Sequence, residues 1–130
     1  MKEIRGLMLA IFLSAALTGC NLPTPAPTVQ PIVDAFFSGS AYLDVNGNGE
    51  IDSEDTPIEN ATLIVTLQGG FETGGNTDKT GFAFITVPGG VDYPVTLRME
   101  APEDSDLELI GPSSVTYPSD GPAKFLFSSK

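Results

Sequence analysis

Histidine and tryptophan are absent from the 130 residues, and cysteine occurs once. Without histidine the chain lacks the commonest general base and the commonest transition-metal ligand, which counts against catalysis. Without tryptophan it lacks the largest aromatic platform for a sugar ring. A single thiol cannot form an internal disulfide. Basic residues are also scarce, since six Lys and Arg stand against 17 Asp and Glu, a net charge of −11. Phosphate backbones and anionic headgroups repel such a surface, so neither nucleic acid nor an electrostatic grip on a membrane is expected. Helical apolar periodicity is missing beyond the N-terminus, and the length suits one compact core.

What is present begins with a leader-like end. Met1, Lys2 and Arg5 precede the apolar run "LMLAIFLSAAL" at 7–17, which is short for a bilayer span and suited to a signal-peptide helix. Leu17-Thr18-Gly19-Cys20 follows and resembles the bacterial lipoprotein box, in which the cysteine takes a diacylglyceryl group and becomes the mature N-terminus. The resemblance implies that residues 1–19 are a lipoprotein signal peptide and that Cys20 is the lipidation site and membrane anchor; the competing reading is a free thiol after an ordinary signal. Removing Lys2, Glu3 and Arg5 leaves 16 acids and four bases, a net of −12, so acyl chains must do the anchoring. The localisation expected is lipid-anchored and extracytoplasmic, at the cell surface. In "NLPTPAPTVQPIV", Pro23, Pro25, Pro27 and Pro31 favour an extended chain, and residues 20–34 read as a lipidated cysteine and stalk reaching roughly 40 Å.

From Ala35 the period is two. Phe37, Gly39, Ala41 and Leu43 alternate with Ser38, Ser40 and Tyr42; Leu63, Val65 and Leu67 alternate with Thr62, Ile64 and Thr66. Phe82 to Val87 is apolar on both faces, Tyr93, Val95, Leu97 and Met99 form another alternating set, and "AKFLFSS" closes the chain. Turn-forming stretches such as "GGNTDKTG", "PGGVDYP" and "PSDGP" separate these runs. The pattern predicts an all-β fold, an Ig-like or prealbumin-like antiparallel β-sandwich over 35–130.

One segment concentrates chemistry. In "DVNGNGEIDSED", counted as a twelve-position calcium loop, Asp44, Asn46 and Asn48 fall at positions one, three and five. Gly49 stands at six, Glu50 at seven, Asp52 at nine and Asp55 at twelve. Alternate side-chain oxygens converge when such a loop coils round a cation, the glycine permits the bend, and position seven needs only its carbonyl. Ile51 at position eight is expected to pin the loop to the core. Asp55 stands where a bidentate Glu is usual, so Glu54 competes with it to close the loop, and no exit helix precedes "TLIVTL". The predicted metal residues are Asp44, Asn46, Asn48, Glu50, Asp52 and Asp55, the cofactor is Ca2+, and the simpler alternative is a hydrophilic turn.

The order of these pieces is similar to the B-type domain of serine-aspartate-repeat and collagen-adhesin surface proteins. A small-residue strand, an Asp-x-Asn-x-Asn-Gly loop, an alternating strand, the Thr77-Asp78-x-x-Gly81 turn and a Pro88-Gly89 turn before a strand opening with Tyr93 all occur between Gly39 and about Leu97. The resemblance implies a prealbumin-like sandwich braced by calcium and a structural or adhesive role. Ala83 stands where that family usually has an aromatic residue, and the first strand lacks the lysine of the family's isopeptide crosslink, which is therefore not expected.

A second acidic run, Glu100, Glu103, Asp104, Asp106 and Glu108, would put its last three acids on one face if extended. A cation site or a glycosidase carboxylate pair can be read there, but a solvated edge that blocks strand pairing is the plainer reading. The function expected is a non-catalytic, calcium-stabilised, lipid-anchored module whose partner is a cell-wall, matrix or glycan ligand. The alternative is a carbohydrate- or small-ligand-binding lipoprotein using Tyr42, Tyr93, Tyr117 and the phenylalanines.

Overall fold

The structure, a computed structural model, describes Gly19 and residues 22–130. Residues 1–18 of the proposed signal peptide, and Cys20, therefore lie outside the described residues. Contacts divide the chain at Gln30 and Pro31 into two units, and every strand among the described residues belongs to the second. No helix among the described residues is long and apolar enough to cross a membrane.

Among the described residues nine strands build two facing sheets: β1 (Ala35–Leu43), β2 (Thr56–Pro57), β3 (Thr62–Thr66), β4 (Glu72–Asn76), β5 (Phe82–Val87), β6 (Val95–Glu100), β7 (Leu107–Ile110), β8 (Val115–Tyr117) and β9 (Ala123–Ser129). One sheet runs β2-β1-β9-β7, with β5 also on β1, and the other runs β4-β3-β6-β8. The pairs are antiparallel except β1 and β9, which run parallel from Gly39 beside Ala123 to Leu43 beside Phe127. First and last strands thus lie side by side at the centre of one sheet, a pairing that no local pattern announces.

The alternation of β1 is the alternation of its burial: Ala35, Phe37, Gly39 and Ala41 face inward. Phe37, Phe125, Phe127, Leu63, Leu97, Val65 and Val95 are the largest fully buried side chains, each contributing about 1.5–3 kcal/mol by leaving water. Ala83 enters this core opposite Gly39. A Cβ on Gly39 would sit 3.0 Å from Leu63 Cδ1, so the glycine makes room for a leucine from the facing sheet. The aromatics Phe82 and Phe84 beside Ala83 point out of the sandwich instead.

Three expectations are corrected. The strand expected to open at Tyr93 starts at Val95, after a cis Tyr93-Pro94 bond. Leu67 lies past the end of β3, where its N–H donates to Phe71 O in the turn to β4. Asp104 sits in a turn with φ 61°, and of Asp104, Asp106 and Glu108 only Glu108 lies in a strand, so these three do not share one extended face.

Candidate functional site

The loop between β1 and β2 is organised by its first residue. Asp44, half-buried at the end of β1, accepts hydrogen bonds at Oδ1 from the backbone of Gly47 (2.7 Å) and Asn48 (3.2 Å), and at Oδ2 from Gly49 (2.8 Å). Three amides aimed at one carboxylate force the chain into a tight coil, and Gly47 and Gly49 supply the positive φ values, 70° and 74°, that the coil needs. Asn46 Oδ1 accepts from Asn48 N and Asn48 Oδ1 from Glu50 N, two successive turns in which an amide side chain caps its own backbone.

Inside the coil, Asp52 is the hub. Its Oδ2 receives the side-chain amides of Asn46 (3.0 Å) and Asn48 (2.7 Å), and its Oδ1 the backbone N–H of Glu54 (2.7 Å). The Glu54 N–H, with the two asparagine amides behind it, holds the Asp52 carboxyl below the usual aspartate range. Asn46 also donates to Glu54 Oε2 at 2.9 Å, so Glu54 shares the hub. Asp55 does not: its Oδ2 accepts from Asp52 N (2.9 Å) and its Oδ1 from Val45 N (3.4 Å), closing the neck where the loop enters and leaves.

Of the six residues read from the sequence, Asn46, Asn48 and Asp52 come together, Asp44 organises the coil from outside the hub, and Asp55 braces the neck. The Glu50 side chain has no hydrogen bond among the described residues. Glu54 is the addition. Among the described residues no group of three His, Cys, Asp or Glu converges as a metal-holding cluster. The hub is two carboxylates facing two amide NH2 groups; it would offer a cation the oxygens calcium takes only if the Asn46 and Asn48 side chains turned, giving up the bonds their Oδ1 atoms accept from Asn48 N and Glu50 N. Ile51 is 37% exposed beside Ile110, Pro112 and Leu126, so it does not pin the loop to the buried core as expected.

The loop's exit is held by a residue that patterning passes over. Thr77 is 2% exposed; its Oγ1 donates to Ile58 O (2.6 Å) and accepts from Ala61 N (2.9 Å), while its own N–H donates to Ala61 O. A threonine among polar turn residues gives no sequence signal of burial. Next to it, Asp78 Oδ1 accepts from Thr80 Oγ1, Thr80 N and Phe82 N, and these donors, the hydroxyl first, hold its carboxyl below the usual range.

The tyrosines offered for sugar stacking are partly spent on packing. Tyr93 and Tyr117 lie 6.5 and 5.5 Å from Phe37 between ring centroids and 6.4 Å from each other, a cluster at the edge of the core.

No family model matches the chain, and no curated protein matches it. Among solved structures it is similar to the major plantain pollen allergen Pla l 1, with a TM-score of 0.54 and 12% identity over 75% of this chain and 95% of that one. It is also similar to the Bacillus anthracis TIE protein, with a TM-score of 0.49 and 18% identity over 75% of this chain and 17% of that one, so the chain spans less than a fifth of that protein's length. The likeness to the allergen shows the fold, a β-sandwich.

Proposed function

We propose that this β-sandwich is a calcium-braced, non-catalytic surface module of the serine-aspartate-repeat B type, structural or adhesive, carried by a lipidated Cys20. The observation that carries the calcium reading is the hub, where Asp52 and Glu54 face Asn46 and Asn48 inside a coil already folded by Asp44. A cation there would be held by Asp52, Glu54 and the two asparagine oxygens, and would tie the end of β1 to the approach to β2. It would also relieve repulsion among the acids of this loop in a chain of net charge −11. With two carboxylates at the hub, a dissociation constant of about 0.1–1 mM is expected, as for extracellular modules. The anchor reading is supported by one cysteine placed directly after an apolar run and before a proline-rich segment.

Calorimetric melting of residues 34–130, which hold every strand, tests the calcium reading. Calcium at about 100 times its dissociation constant should add about 2.7 kcal/mol over EDTA, and magnesium far less, because it demands a smaller octahedral shell. Asp52→Ala should abolish the gain and Lys124→Ala should keep it. Coincident melting in EDTA, calcium and magnesium would leave the loop a hydrophilic turn. For the anchor, Cys20→Ser should leave the precursor uncleaved or release the protein from the membrane; wild type without a membrane-bound, lipid-labelled species would refute it.

A further inference from the structure

Acidic residues are spread over the loops and over β4, β6 and β7, yet β5, β1 and β9 together contain none, and their one charged residue is Lys124. The outer face of these strands carries three phenylalanines, Phe36, Phe82 and Phe84, which are 53%, 41% and 58% exposed. Across the β1–β5 register they stand among Ser38, Ser40 and Thr86, so hydroxyls and rings share the face. Phe36 and Phe84 stack at 5.7 Å between centroids with an interplanar angle of 18°. Exposed Ile32 and Val33 precede β1, and Asp34 Oδ1 accepts from Gly89 N at 3.2 Å, holding the entry of the chain against the turn after β5.

We propose that the phenylalanine face of β1 and β5 docks the domain onto the zwitterionic lipid surface in which Cys20 is anchored, an inference that rests on the anchor reading above. Charge selects the face. Carboxylates are costly to desolvate at a headgroup–acyl boundary, and β1, β5 and β9 carry none and one ammonium; Asp34, just before β1, is the carboxylate at the rim of the face and accepts from Gly89 N. Chain connectivity selects the bilayer over other apolar partners. Phe36 lies at the end of the face where the proline-rich segment enters, and a tether of roughly 40 Å keeps the patch at high effective concentration over the membrane, so a weak contact suffices. Ring geometry agrees, since two phenyl rings laid against each other form an apolar knob for the headgroup–acyl boundary, whereas sugar stacking needs ring faces left open.

The chain from Cys20 to Lys130 keeps every strand, and coupling its only thiol to a maleimide lipid in phosphatidylcholine vesicles supplies the anchor chemically. No native tryptophan interferes with a single reporter. Brominated acyl chains should quench Phe84→Trp by about twofold or more, while Thr116→Trp, on the other sheet, stays unquenched. Adding Phe36→Ser and Phe82→Ser to Phe84→Trp should bring its quenching to the Thr116→Trp level. Equal quenching of the two reporters, or none, overturns docking. So does protection of Phe84→Trp from iodide in vesicle-free solution that grows with protein concentration, which would assign the face to a second copy. Because the coupling bypasses cellular lipidation, failure here leaves the lipoprotein reading intact, and that reading falls only if wild type in the native cells shows no membrane-bound, lipid-labelled species.

Discussion

Two turns of this sandwich use the same device, an aspartate that accepts the amides of the residues after it, to opposite ends. The turn at Asp78 spans four residues and its last, Gly81, is buried against β1 and the end of β2. The loop at Asp44 runs to Asp55, is mostly exposed, and gathers its polar atoms around Asp52 rather than around the core. Where the capped turn is pressed on backbone it serves packing. Where it stands in solvent, its order depends on hydrogen bonds that water contests, and on whatever neutralises its acids.

The largest expected effect breaks the packed member. Gly81 has φ 74°, and a Cβ there would lie 2.6 Å from Ala41 O and 2.9 Å from Pro57 Cβ. Neither contact can yield without moving β1 or β2. Gly81→Val should cost on the order of 3 kcal/mol or more, read as a lower urea midpoint at unchanged slope. A loss below about 1 kcal/mol would mean that the turn is not wedged as described.

A smaller effect is expected in the exposed member. Asp44→Ala leaves three loop amides to water, which can reach them, so in EDTA the domain should lose only about 1 kcal/mol. The local consequence should exceed the global one: hydrogen exchange at Gly47, Asn48 and Gly49 should rise towards free-peptide rates while amides of β1 and β9 stay protected. Equal loosening of the core strands would erase the distinction between the two turns.

The smallest effect is acid dependence, which the two turns share. Asp52 and Asp78 both have folded carboxyl pKa values below their unfolded ones, so they stabilise the fold at pH above the ordinary aspartate range, and that contribution fades as pH falls through and below about 4. Glu72, held down by Arg98 at 2.6 Å and then by Thr66, acts in the same direction. Melting temperature should be flat above about pH 5 and fall below it, and Asp78→Asn should make the fall shallower. An unchanged acid limb in that variant would show that the Asp78 turn does not hold its proton balance.

Much of the fold was legible because it is local. Strand alternation in β1, β3 and β6 follows from a two-residue period, and the coil at Asp44 follows from Asp, Asn and Gly spacing within twelve positions. Glu54 was left as a rival to Asp55 because neighbouring acids in a turn differ only in where the backbone aims them. The structure turns Glu54 to the hub and Asp55 to the neck. Thr77 went unread because its burial comes from Ile58 and Ala61, residues distant in sequence and unremarkable in pattern.

By itself the sequence determined the all-β class, the two-faced strands, the acidic coil after β1 and the absence of acids from β1, β5 and β9, since each is a property of residues within one short segment. Tertiary structure alone decided that β1 and β9 lie parallel, that Leu63 packs over Gly39, that Tyr93 and Tyr117 close on Phe37, and that Phe82 and Phe84 face outward. These depend on which segments meet across long stretches of chain. That choice is made by the fit of whole sheets around one core, where volume on one strand is compensated by volume on another.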